Sequence, residues 1–397
     1  MPGSRYSFVY VGNFRMRPQT WGVPQPSGYG IGICRFDNET GALTPLRIVH
    51  DHITAGNVAF DAKRQVIYYG HEDLTLPDRV YGGGGQVFAF SVDVETGDLT
   101  EINHQPSYGA LPVQVALDAT GQYLIVPHHT GSFPITKVKK DAAGRYCTVS
   151  EYDDASIALF PLDADGAIGD PCDIYIHTGD GGPLEKQTHP HLHTVVMSPS
   201  GKLFFVSDKG NDQILMFRIN YETRKLELCG GKPFATVPGA SVRCAAFHPT
   251  RPWLFTNYET TAAVATLRYD ESGALAPLSV ASALPEGLAD GPTLMQSDIK
   301  IHPSGRHLFT LVRGINSVTA FAIDEATGQL VRIQTFQLEG KNPRSCTISP
   351  DGRFLLVAMV LSAEVLVLAI GADGTLTSTG HKASMPHPAN IAFLQPQ

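Results

Sequence analysis

Short apolar runs alternate with acidic or polar turns along the chain, and one phrase recurs seven times: an apolar strand, a turn, then Gly-x-Leu or a degenerate form of it. The clearest copies are GICRFDNETGAL from Gly32, VFAFSVDVETGDL from Val87 and VTAFAIDEATGQL from Val318, with weaker ones from Ile157, Ile214, Val264 and Val365. The equivalent apolar residues are Leu43, Leu99, Ile168, Leu226, Leu275, Leu330 and Leu376, spaced on average by roughly fifty-five residues. Upstream of the phrase, a strand runs into Ser-Pro-x-Gly or His-Pro-x and a second strand follows, as in VVMSPSGKLFFVSDKG from Val195 and IKIHPSGRHLFTLVRG from Ile299. Val, Ile, Phe and Tyr between Pro, Gly and Asp turns are hairpin signals. No helical apolar period of comparable length competes with them. Each copy predicts one sheet of four antiparallel strands, and seven such sheets set radially predict an all-β, seven-bladed β-propeller.

The ends of the chain carry one orphan strand each. ANIAFLQ from Ala389 reads as a first strand without a partner, and SFVYVGN from Ser7 as a second strand without a predecessor. Pairing them in one blade closes the ring and removes two exposed sheet edges. The expectation is a single domain over residues 1–397, in spite of a length that would ordinarily suggest more than one. Two stretches interrupt the repeat: Asp73–Gly85, which contains YGGGG, and Thr130–Tyr152, which contains KVKKDAAGR beside His128 and His129. Loops of this length serve recognition or decorate the surface, and the sequence leaves both open.

Composition narrows the class. With 43% apolar residues, 17% charged residues, 39 Gly and 28 Pro, the chain reads as a turn-rich globular protein. A net charge of −8 and the lack of a Lys/Arg run argue against nucleic acid as a partner. No segment has the length of a transmembrane helix, and MPGSRYSFVYVG lacks the pattern of a signal peptide, so no membrane partner is expected. Cys34, Cys147, Cys172, Cys229, Cys244 and Cys346 form no CxxC pair, which suits reduced thiols in the cytoplasm and makes structural zinc improbable.

In a propeller the first strand of each blade lines the central channel. Aligning the copies on their own pattern gives one column of Gly56, Val113, His193, Arg243, Ser297, Arg344 and Ala389, followed by Asn57, Gln114, Thr194, Cys244, Asp298, Ser345 and Asn390. A second column, eleven residues after the turn's Asp, Ser or His, reads Glu72, His129, Lys209, Glu259, Arg313 and Val360, with the N-terminal blade unassigned. Ionisable side chains rarely gather at a narrow channel unless paired or functional. This set is net cationic with two carboxylates and suits a small anionic ligand; the bland alternative is a ring of salt bridges between blades. Because these positions lie at a channel mouth and not in blade cores, substitutions there are expected to spare folding.

Local motifs refine the chemistry. In HLHTV, His191 and His193 alternate and would share a strand face, a geometry also found in metal sites. Carboxylate partners for a metal are not evident and the neighbouring columns are rich in Arg, so acid–base chemistry or hydrogen bonding is preferred and no metal is expected. SVRCAAFHP and NYETT bring Arg243 and Glu259 together from two halves of one blade, and LVRGINS adds Arg313 from the next. One carboxylate, an imidazole and guanidiniums make an acid–base site for a carboxylate or ester substrate, with Arg as anion clamp and oxyanion stabiliser. A GxSxG elbow is lacking, and YGGGG lacks the lysine and helix of a phosphate loop. His248, His302 and His307 fall on turn or outer positions and read as structural.

The strings FDNETGALTPL, HLHTVVMSPSGKLFFVSDKGNDQI, SDIKIHPSGRHLFTLVRGINSV and NPRSCTISPDGRFLLVA together resemble the seven-bladed propeller lactonase family over essentially the whole chain. That family includes propeller-type 6-phosphogluconolactonases and 3-carboxy-cis,cis-muconate lactonizing enzymes. In the lactonizing branch the resemblance implies a site of one His, two Arg and one Glu, which fall on His193, Arg243, Arg313 and Glu259. Arg344 in NPRSC and His191 match further recurrent positions of the family. Val242-Arg243-Cys244 stands where the family usually has Pro-Arg-His, and His128-His129 where it usually has Asn-Tyr, which implies a kept core in a changed pocket.

The resulting expectation is a cofactor-independent lactonase acting on a small anionic lactone. Its catalytic residues would be His193, Glu259, Arg243 and Arg313, and its substrate contacts His191, Arg344, Lys209, Glu72, His129 and Gln114. Two rivals stand beside it: a lactonizing cycloisomerase acting on a dicarboxylate, and a non-catalytic propeller scaffold, which would carry aromatic outer patches around a bland mouth.

Overall fold

The computed structural model describes residues 5–14, 29–80, 82–289, 291 and 293–394. The first four residues and Gln395 of the closing run lie outside the described residues. Among the latter, seven sheets of four antiparallel strands run in sequence order from inside to outside. Blades one to seven have Ala55–Asp61, Ala116–Leu117, Leu192–Met197, Val242–Phe247, Gln296–Ile301, Pro343–Ile348 and Pro388–Phe393 as innermost strands. Each innermost strand packs beside the next, and blade seven packs beside blade one, so the sheets form a closed ring. In blade seven, Pro388–Phe393 pairs with Tyr6–Asn13, which continues into Ile31–Asp37 and Leu43–Val49. The two orphan strands of the sequence therefore close the ring together.

Seven apolar clusters hold the ring, and each lies between two adjacent blades. The alternation of strand side chains explains this. In Trp253–Tyr258 of blade four, Trp253 and Phe255 pack toward blade five while Leu254 and Tyr258 pack toward blade three. A middle strand buried on both faces needs apolar residues at successive positions, which is why these strands lack a polar face. Burying each large side chain contributes roughly 1.5–3 kcal/mol.

The recurrent turns are inter-blade devices. Gly328 of blade five has φ +74, and a Cβ there would meet the indole of Trp253 in blade four at 2.9 Å. Glycine thus supplies both the left-handed backbone and the clearance. The turn Asp, Ser or His between first and second strands caps its own hairpin: Asp61 Oδ1 accepts from the amides of Lys63 and Arg64, and His248 Nδ1 from those of Thr250 and Arg251. His248 Nε2 and His302 Nε2 then lie 3.0 Å from the carbonyls of Gly305 and Gly352 in the following blades. The turn histidines are structural, as their positions suggest.

Two departures from the plain repeat appear. The 130–152 insertion forms its own two-stranded hairpin, Ile135–Lys140 with Tyr146–Glu151, standing apart from the blades. Blade three gains a short fifth piece, Phe234–Ala235, paired with Gln213 and Ile214. Among the described residues no helix is long and apolar enough to cross a membrane.

Candidate active site

Strand irregularity builds the site. In blades one, three, four, five and six the ladder between first and second strand slips at one height: between Ala55 and Val58, Leu192 and Val195, Val242 and Ala245, Gln296 and Ile299, and Pro343 and Ser345. Blade seven slips opposite Asn13, and in blade two Val113–Val115 lie unladdered between the Pro112–His128 bridge and Ala116. The residues released are those of the first aligned column, including Gly56, His193, Arg243 and Arg344. A bulge breaks the strict alternation and re-aims side chains, here into the channel mouth.

One backbone hydrogen bond per blade fixes the second column at the same level. The amides of Glu72, His129, Lys209, Glu259, Arg313 and Val360 donate to the carbonyls of Thr54, Leu111, His191, Ser241, Met295 and Asn342. In blade seven the Phe14 amide donates to the His387 carbonyl at 2.9 Å, so Phe14 is the member that the sequence left unassigned. Its ring lies 4.0 Å from the guanidinium carbon of Arg344.

Four cations and two carboxylates meet here. Arg313 Nη2 lies 2.5 Å from Glu259 Oε1, and Lys209 Nζ 2.6 Å from Oε2. Arg243 Nε approaches the same Oε2 at 3.7 Å. Burial alone would raise the Glu259 carboxyl, but Lys209, Arg313 and Arg243 outweigh it and hold the group well below the usual carboxylate range. Glu72 is the opposite case. Burial pushes it up to about 7, with Arg344 and Arg243 pulling back, and its one ion pair among the described residues, to Arg344, is loose at 4.0 Å. Burial lowers Lys209 to about 8, a shift that Glu259 limits.

A histidine cluster flanks the cations. The His129 ring stacks on His191 at 4.8 Å and meets His193 edge-on at 5.8 Å. Thr130 Oγ1 lies 3.0 Å from His191 Nδ1 and 2.8 Å from His189 Nε2, and Tyr152, at the end of the insertion, stacks on His189 at 3.9 Å. The His191 amide donates to Asp208 Oδ1 at 2.8 Å, while His177 Nε2 holds Oδ2 at 2.9 Å. His193 is desolvated and faces Arg243 and Lys209, so it is held well below the usual imidazole range and stays neutral at neutral pH.

A small cavity, open to solvent, lies at this level. Of the residues selected from the sequence, His193, Arg243, Arg344, Glu72 and Gln114 line it. Glu259, Arg313, Lys209, His191 and His129 do not, although Glu259 reaches the cavity wall through Arg243. Deeper in the channel the lining includes Cys244, Asp298 and Lys300. Asp298 binds Lys300 Nζ at 2.9 Å and receives Ser345 Oγ at 3.0 Å and the Cys346 amide at 2.9 Å. Lys300 went unnoticed in the sequence, yet it stands two residues after Asp298 on a channel-facing strand, where a period of two would have found it. Among the described residues, no three His, Cys, Asp or Glu side chains converge so as to hold a metal ion.

The chain resembles known proteins over most of its length. It is 26% identical over 369 residues to the 6-phosphogluconolactonase of Bacillus subtilis, covering 92% of this chain and 94% of that one. It is 27% identical over 349 residues to the 6-phosphogluconolactonase of Erwinia tasmaniensis, covering 88% and 90%. The fold matches the periplasmic gluconolactonase of Pseudomonas aeruginosa with a TM-score of 0.82 at 24% identity, covering 98% and 99% of the two chains. The family model described as lactonase, 7-bladed beta-propeller, matches residues 9–143 and 128–393. On that match this chain belongs to the seven-bladed β-propeller lactonase family.

Proposed function

We propose that this chain is a cofactor-independent lactonase that hydrolyses a small anionic sugar-acid lactone, with the whole ring acting as one domain. The observation that carries the reading is the convergence of Lys209, Arg243, Arg313 and Arg344 on two largely buried carboxylates beside an open cavity. Two more cations than carboxylates leave a field that attracts an anion and stabilises an oxyanion. Arg243 and Arg344 stand in the cavity wall, where they would clamp the substrate's anionic group and the carbonyl oxygen that becomes negative in the tetrahedral intermediate. His193, neutral in this field, would donate or accept a hydrogen bond to the substrate. Glu259 would keep Lys209, Arg313 and Arg243 in place, since a carboxylate gripped on both oxygens is a weak base. Relatives named 6-phosphogluconolactonase and gluconolactonase support a sugar-acid lactone as the substrate class. Six unpaired cysteines support a reducing, cytoplasmic setting.

The test is an initial-rate panel of phosphorylated and unphosphorylated sugar-acid lactones together with carboxylated muconates, each run before and after exhaustive chelation. Lactone hydrolysis that survives chelation is expected. Muconate cyclisation without lactone hydrolysis would reverse the direction of the reaction, and loss of activity on chelation with recovery by one metal would end the cofactor-independent reading.

A further inference from the structure

Two glutamates stand at the mouth, and they differ in the distance of their cations and in access to the cavity. Glu259 has a cation within 2.6 Å of each oxygen and does not line the cavity. Glu72 lines the cavity, and among the described residues its nearest cation stands at 4.0 Å. The backbone makes room for it. At the bulge position, blades three, four and six carry His193, Arg243 and Arg344, but blade one carries Gly56. A Cβ on Gly56 would lie 2.6 Å from Glu72 Oε1. The carboxyl thus fills the space that a bulge side chain takes in the other blades, and it faces the substrate cavity from there.

We propose that Glu72 is the proton-transferring carboxylate of this site. The proposal rests on the lactonase reading and adds the residue that activates water. Glu72 takes a proton from a water molecule as the water oxygen bonds to the lactone carbonyl carbon. The carbonyl π electrons move onto oxygen, where Arg243 and Arg344 stabilise the charge. Collapse of the tetrahedral intermediate restores the carbonyl and breaks the bond to the ring oxygen. That oxygen takes the proton back from Glu72 and leaves as a hydroxyl. Lactone and water become one hydroxy acid, and Glu72 returns ionised.

Among the described residues, the charged and titratable groups around Glu72 are Arg344 from blade six, Arg243 from blade four and His193 from blade three, with Asp298 and Lys300 of blade five in the same cavity lining and His71 and Asp73 beside it in its own blade. Burial sets its titration near neutrality against the two arginines, while Glu259 is driven the other way. Two carboxyls pushed apart by their environments mark an acid–base assignment.

The experiment compares wild type with Glu72→Gln and Glu72→Asp in the full chain, on a lactone that wild type hydrolyses, from pH 5 to 9, with spontaneous hydrolysis subtracted. Glu72→Gln is expected to lower kcat by about a hundred- to ten-thousand-fold, to shift KM by less than about threefold, and to lose the rise in rate centred near pH 7. Glu72→Asp is expected to keep that rise at a reduced kcat, which separates proton transfer from packing if the Gln variant folds poorly. An active wild type whose Gln variant keeps kcat and the same pH profile would overturn the assignment alone, as would an Asp variant without the rise. A wild type inactive on every lactone would overturn the lactonase reading, and this proposal with it.

Discussion

Lys209 of blade three places its ammonium 2.6 Å from Oε2 of Glu259 in blade four, with the carboxylate side chain only 7% exposed. The pair links two blades at the channel mouth and has the energetics of a buried ion pair. Removing one member leaves the other buried without its counter-charge, at a cost of about 3–5 kcal/mol. Glu259→Gln is therefore expected to lower global stability by that order in urea unfolding, besides its effect on rate. The sequence-based expectation that mouth substitutions spare folding does not extend to this residue, because Glu259 also holds Arg313 and Arg243.

Five histidines around blades two and three carry lowered titration points. Burial is the first cause for each of His128, His129, His189, His191 and His193, with His128 and His189 lowered to about 4. Between the unfolded value near 6.5 and these points, the unfolded chain binds more protons than the folded one. Stability is then fully present above about pH 6.5 and is lost as pH falls. Glu72, raised to about 7, opposes this, but as one group against five. Tm is expected to drop by at least about 5 °C between pH 7 and pH 5 in a calorimetric series. A flat profile would mean that these imidazoles are hydrated.

Phe14 covers the face of Arg344 at 4.0 Å. A cation–π contact at a partly desolvated site contributes about 1 kcal/mol, and here it orients a guanidinium that lines the cavity. Phe14→Ala is expected to raise KM by about fivefold with a smaller change in kcat. In an Arg344→Ala background the same change should have little further effect.

Cys147 is the exposed cysteine of the six, Cys172 is half-buried, and the other four are buried. Titration of the native protein with an aromatic disulfide is expected to modify one thiol rapidly and a second slowly, with the rest reacting after unfolding. Modification of Cys147, on a hairpin apart from the blades, should leave activity unchanged.

The fold was legible because propeller packing repeats a constraint that sequence can display. Gly328 must clear Trp253, and the equivalent glycines meet neighbouring blades in the same way, so Gly-x-Leu recurs. The two aligned columns were legible because bulge and amide hydrogen bond return at one height in each blade. Phe14 escaped because the first blade fragment enters the chain without its own turn, which removed the counting mark. The hairpin at 135–151 escaped because its strands are exposed along most of their length and need no apolar period. The contrast between Glu72 and Glu259 was illegible for a deeper reason. Both are second-column glutamates, and their difference lies in how near the cations of other blades come, a matter of distance across the channel.

The strand that closes blade seven also dictates a timetable. Tyr6–Asn13 leaves the ribosome long before its partner Pro388–Phe393. At about 5–20 residues per second, the early strand waits from roughly twenty to eighty seconds for that partner. Blades one to six can stack meanwhile, but the flanks of the first and last of them stay uncovered until the clasp forms. The nascent chain is most exposed to mispairing just before synthesis reaches residue 388, so a chaperone or a pause that acts late would matter more to its yield than one that acts early.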